Sequence, residues 1–145
     1  MIRAFTGPTD LTPIQLRWAG ACMIARRPVA NVWRSGCARG IDSLAAWIAV
    51  GIKADLELYI PGASHNEAMV KSLKPLASQV TMVPRGPSNA LSYRRRNRHM
   101  VQKVDHLLAF VWQETFYRSG EWMTINLAKD YGVKVDLEVI PKEEW

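Results

Sequence analysis

Ser35-Gly36-Cys37-Ala38-Arg39-Gly40-Ile41-Asp42 joins an apolar run that reads as a strand, Val29 to Trp33, to one that reads as a helix. That helix carries Leu44, Ala45, Trp47 and Ile48 and stops at Gly51. A glycine-punctuated loop that leaves a strand and opens a helix presents backbone N–H groups to an anion, and the arginine between the two glycines adds a fixed cation. Its natural ligand is a phosphate. Asp42 reads as the cap of the helix. An Arg39–Asp42 ion pair that only clasps the loop is the structural alternative.

The same alternation extends in both directions. Ile2 to Phe5 reads as a strand, Thr6-Gly7-Pro8-Thr9 as the break after it, and Pro13 to Arg27 as a helix with proline at a favourable start. Downstream come a strand at Leu56–Ile60, a helix from Asn66 to Leu76, a strand at Gln79–Val83 and the Pro84-Arg85-Gly86-Pro87 turn. A helix from Ala90 to Lys103 follows, then Leu107 to Trp112, a continuous apolar run of the kind buried on both faces of a parallel sheet. A helix from Trp122 to Tyr131 and a strand from Val133 to Val139 close the chain. Regular strand–helix alternation predicts a single α/β domain over residues 1–145, with a doubly wound, mainly parallel Rossmann-like sheet and helices on both faces. Thr6-Gly7, Ser35 to Gly40, Arg94 to Arg98 and Ser119-Gly120 then follow carboxyl ends of strands, the edge at which such sheets bind ligands.

The charge pattern points to the same class of ligand. The net charge is +6, from 19 Lys and Arg against 13 Asp and Glu in 145 residues. Arg85 to Lys103 holds six of the basic residues and no acidic one, so the rest of the chain balances at 13 against 13. Arg94, Arg95, Arg96 and Arg98 fall within five positions, and Arg is suited to bidentate phosphate contact. A solvated helix face is the bland alternative. The longest apolar stretch, Leu44 to Ile52, is too short to span a bilayer of about 30 Å. No membrane role is expected. Two cysteines, with no leader ahead of the first strand, fit reduced thiols in a cytoplasmic protein.

His65, His99 and His106 lack metal-ligand spacing with one another or with the cysteines, so no metal and no cofactor is expected. Cys37, near Arg39 and a helix start, sits where a thiol pKa is lowered, although filling a tight turn is its simpler role. Among the tryptophans, Trp33 and Trp112 read as core. Trp122, after Glu121 in a polar stretch, is the best placed to stack on a base.

S-G-C-A-R-G-I-D (Ser35 to Asp42), R-R-N-R (Arg95 to Arg98) and S-G-x-x-x-T-x-x-x-A (Ser119 to Ala128), with the Thr6-Gly7-Pro8-Thr9-Asp10-Leu11-Thr12 opening, resemble the Rossmann-like core of the DNA-processing protein A (DprA/Smf) family. The wider group is the SLOG superfamily, which also holds the Lonely guy (LOG) phosphoribohydrolases. The resemblance covers nearly the whole chain. It implies a nucleotide or single-stranded DNA partner and a homodimer or higher homo-oligomer. Thr6, Gly7, Ser35, Gly36, Arg39, Gly40, Arg96, Asn97, Ser119 and Gly120 would form the phosphate site, with Arg94, Arg95, Arg98 and Trp122 as further nucleic-acid contacts.

A nucleotide hydrolase or nucleotide sensor is the alternative, since Arg96 and Met100 also match the R-x-x-x-M of LOG enzymes. Those enzymes carry a glutamate where this chain has Thr124. A hydroxyl cannot supply a carboxylate that stabilises an oxocarbenium-like state. Glu114 and Glu121 are the carboxylates nearest in sequence, and no catalytic residue is assigned. A binding module is the favoured reading.

Overall fold

The computed structural model describes residues 1–26, 30–63, 67–114 and 119–142. Six strands form one sheet: β1 (Ile2–Thr6), β2 (Val32–Ser35), β3 (Asp55–Ile60), β4 (Gln79–Met82), β5 (His106–Val111) and β6 (Lys134–Val139). Their order is β4-β3-β2-β1-β5-β6, and every adjacent pair is parallel. Crossovers are made by α1 (Pro13–Ala25), α2 (Ile41–Gly51), α3 (Glu67–Leu73), α4 (Asn89–Val101) and α5 (Gly120–Asp130). This is the expected α/β architecture.

Alternate residues of β1, β3 and β5 feed two cores. Phe5, Trp33, Leu58, Leu108 and Phe110 pack with Met23, Ile41 and Leu73 of α1, α2 and α3. Ala4, Leu107, Ala109 and Val111 pack on the opposite face with Met100 of α4 and with Trp122 and Ile125 of α5. The Leu107–Val111 run is fully buried because it serves both faces at once.

The chain steps outward from β1 through β2 and β3 to β4, then returns to place β5 on the other side of β1. Winding reverses at the β1/β5 boundary. The loops leaving these two strands therefore diverge to opposite faces and open a crevice at the carboxyl edge.

Several boundaries differ from the sequence expectation, each for a local reason. β2 runs through Ser35, so the first residue of the glycine loop is itself in the sheet. Gly40, not Asp42, is the N-cap of α2. Its φ of +74° is left-handed, and a Cβ there would meet the Pro8 carbonyl and lie 2.8 Å from Thr9 Cα, which leaves room only for glycine. α5 begins at Gly120 rather than Trp122 because the Ser119 hydroxyl accepts the Trp122 N–H and caps the helix earlier. The proposed starts at Asn66 and Val29 and the end at Arg27 lie outside the described residues. Among the described residues, no helix is long and apolar enough to cross a membrane.

Candidate functional site

The crevice has a volume of about 840 Å³. Thr6 to Asp10 enter it from the end of β1, Cys37 to Arg39 from the end of β2, and Pro61 from the end of β3. Trp112 comes from the end of β5, Ser119 to Glu121 and Thr124 from the start of α5, and Tyr93, Arg96, Asn97 and Met100 from α4. Loops distant in sequence thus meet at the switch point.

One arginine holds this assembly together. The Arg96 guanidinium donates from Nη1 to the Gly36 carbonyl and from Nε to Asn97 Oδ1 at 2.7 Å, and it lies 5.8 Å from the centroid of the Tyr93 ring. A Cβ at Gly36 would lie 2.9 Å from Arg96 Cζ and equally close to Asp42 Oδ2, so Gly36 separates a buried guanidinium from a buried carboxylate. Burial pushes the Asp42 carboxyl up to about 6, against the opposing pull of Arg96 and of the Ala38 N–H, which donates to Oδ2 at 3.3 Å. Ser35 Oγ donates to the Asp42 carbonyl at 2.8 Å and accepts the Cys37 N–H.

These contacts separate the expected phosphate residues into those inside the loop and those on the crevice wall. Ser35 and Gly36 are buried, and neither lines the crevice. Two of the loop N–H groups, those of Cys37 and Ala38, are spent on Ser35 and Asp42. Gly40 packs against the β1–α1 loop. Ser35, Gly36 and Gly40 thus build the loop and are not among the residues that line the crevice. Thr6, Gly7, Arg39, Arg96, Asn97, Ser119 and Gly120 do line the crevice.

Arg39 is exposed and, among the described residues, makes no hydrogen bond or ion pair. It does not clasp Asp42; Arg96 is the cation that faces that carboxylate. The N-terminus of α2 beside Arg39 has no side-chain cap, whereas Thr12, Ser88 and Ser119 cap α1, α4 and α5. The Ile41 N–H donates to the Pro8 carbonyl, and Arg39 and Asp42 at this helix start both line the crevice.

Arg94, Arg95 and Arg98 lie outside the crevice, on the exposed face of α4. Ser92, Arg96 and Met100 form the buried stripe of that helix, and Arg94 and Arg98 share a flank. Arg95 also ties down the preceding turn by donating to the Arg85 carbonyl at 3.0 Å.

The tryptophans exchange places with expectation. Trp122 is 5% exposed and belongs to the core beneath α5, so it does not stack on a ligand from solvent. Trp112 is 46% exposed on the crevice wall. Trp33 is in the core, donating from Nε1 to the Ala30 carbonyl. Cys37 is no activated thiol: burial pushes it up to about 12. Thr124, at the position of the LOG glutamate, is buried and donates its hydroxyl to the Gly120 carbonyl at 3.1 Å. Glu114 lies outside the crevice and Glu121 within it. Among the described residues, no cluster of three or more His, Cys, Asp or Glu is placed to hold a metal ion.

No family model matches this sequence, and no curated protein sequence matches it. Solved structures do. DNA processing protein A (DprA) from Streptococcus pneumoniae superposes with a TM-score of 0.73 at 20% identity, over 93% of this chain and 49% of that one. DNA processing protein A from Helicobacter pylori, in a structure concerned with its single-stranded DNA binding mode, gives a TM-score of 0.70 at 16% identity, over 94% of this chain and 64% of that one. The chain thus spans about half to two-thirds of these proteins. Its fold is that of a DprA-like Rossmann domain.

Proposed function

We propose that this domain binds single-stranded DNA through its phosphates at the β1/β5 crevice and catalyses no reaction on it. The observation that carries the reading is Arg39, an exposed guanidinium on the crevice wall without a partner among the described residues, beside the N-terminus of α2, which has no side-chain cap. The H. pylori DprA of the same fold is a single-stranded DNA binder, which supports the choice of ligand. Arg94 and Arg98 extend the basic surface beyond what a mononucleotide would cover. A mononucleotide is the second reading, favoured by a crevice whose volume of about 840 Å³ suits a small ligand.

The partner includes a second copy of this chain. Edge strand β6 carries Lys134, Asp136 and Glu138, which discourage pairing, whereas edge strand β4, Gln79-Val80-Thr81-Met82, carries no charge. The site of action is the cytoplasm, where Cys22 and Cys37 stay as the free thiols seen in the fold.

The test is fluorescence anisotropy of a labelled single strand at low salt with wild type and Arg39→Ala. A charge-assisted contact of about 1.5–3 kcal/mol predicts roughly ten- to hundredfold weaker binding, with an unchanged thermal midpoint. A lowered midpoint with unchanged affinity would make Arg39 a structural residue and remove the site.

A further inference from the structure

The crevice is not lined by cations alone. Asp10, Asp42 and Glu121 share its wall with Arg39 and Arg96. Asp42 and Arg96 face each other around Gly36, and Asp42 accepts the Ala38 N–H. Asp10 and Glu121 make no hydrogen bond or ion pair among the described residues. A site that held only phosphates would be weakened by unpaired carboxylates. An acidic residue in the first turn of α5 is favourable in its own right. That does not explain why Glu121 shares the crevice with Trp112, an indole left 46% exposed.

The two kinds of group are separated by the sheet. Arg39 follows β2 and Trp112 follows β5, and β1 lies between them. Two strand spacings set these loops roughly 10 Å apart at the sheet edge. A single nucleotide bridges such a gap, with its phosphate on the Arg39 side and its base on the Trp112 side. An ionised carboxylate only accepts hydrogen bonds, so it attracts an exocyclic amino group and repels a keto oxygen.

We infer that the crevice reads the base as well as the backbone: Glu121 accepts a hydrogen bond from the amino group of a base stacked on Trp112, and amino-bearing bases are bound in preference to thymine. This rests on the single-stranded DNA reading above and deepens it.

Cytosine and uracil differ at C4, amino against keto, and at N3, an acceptor in cytosine and an N–H donor in uracil, and thymine adds the methyl group to uracil; the comparison therefore tests a contact made at C4. Wild type is titrated at neutral pH and fixed salt with oligo(dC), oligo(dU), oligo(dT) and an abasic strand of equal length. One amino–carboxylate contact predicts oligo(dC) bound about tenfold more tightly than oligo(dU) or oligo(dT). Glu121→Gln, which offers both a donor and an acceptor, brings the three within about twofold. Trp112→Ala weakens all three homopolymers by about tenfold and leaves the abasic strand unchanged. Equal wild-type affinity for the homopolymers, or a preference that survives Glu121→Gln and disappears in Asp10→Asn, overturns the assignment to Glu121 while the backbone reading stands. Failure of every strand to bind, the abasic one included, overturns the backbone reading and the base inference with it.

Discussion

Arg96 on α4 and Gly36 at the end of β2, sixty residues apart, are joined by a buried hydrogen bond from the guanidinium to the backbone carbonyl. The bond ties α4 to the glycine loop, and both contribute residues to the crevice wall. A Cβ at Gly36 would approach Arg96 Cζ, Arg96 Nη1 and Asp42 Oδ2 to 2.9 Å. Gly36→Ala is therefore expected to displace the guanidinium and destabilise the domain by about 1–3 kcal/mol in urea unfolding. Full stability in this variant would show that Arg96 does not brace the loop.

Asp42 gives a pH signature. Its ordinary value is 3.8, and burial raises it to about 6 in the folded protein despite Arg96. Between those values the folded state holds more of this proton than the unfolded state. Its contribution to stability therefore falls as pH rises through the window and is least favourable above it. Asp42→Asn keeps an oxygen for the Ala38 N–H and removes the titration. The variant should gain stability relative to wild type as pH rises through the window, followed by urea unfolding at several pH values. A gain for wild type instead would mean that the attraction of Arg96 outweighs burial. Affinity for a single strand should also rise in wild type as pH falls through about 6, because a negative charge leaves the crevice wall.

The tryptophans separate packing from binding. Trp122→Ala removes a core side chain and should cost about 3–5 kcal/mol of stability. Trp112→Ala lies on the crevice wall and should stay within about 0.5 kcal/mol of wild type. Thermal melts of the two variants check the pair. Similar losses in both would place Trp112 in the core.

The sheet was legible in the sequence because its signals are local: strand–helix alternation, a proline start for α1 and the buried run of β5. Much of the crevice wall was legible too, since Thr6, Arg39, Ser119 and Gly120 follow strand ends in chain order. Long-range contacts were not. Nothing near Gly36 signals that its neighbour is Arg96, or that Asp42 faces that arginine rather than Arg39. Trp122 reads as a surface residue only if α5 starts there; α5 starts at Gly120, and with that phase Trp122, Ile125 and Ala128 fall on the buried face. Trp112 looked like the last residue of an apolar strand, but β5 ends at Val111 and leaves the indole on the wall of the crevice.

The basic face of α4 bears on the choice between a strand and a mononucleotide. Arg94 and Arg98 are exposed and share a flank outside the crevice. Each phosphate neutralised on a single strand contributes about −0.7 to the slope of log K against log salt. Isotherms for one labelled oligonucleotide and one mononucleotide, at several salt concentrations, with wild type and the Arg94→Ala/Arg98→Ala double variant, decide the matter. The expected result is a steep slope for the oligonucleotide that flattens by about one to two units in the double variant, with mononucleotide affinity nearly unchanged. An unchanged slope in the double variant, or no oligonucleotide binding by wild type at low salt, would contradict single-stranded DNA as the ligand.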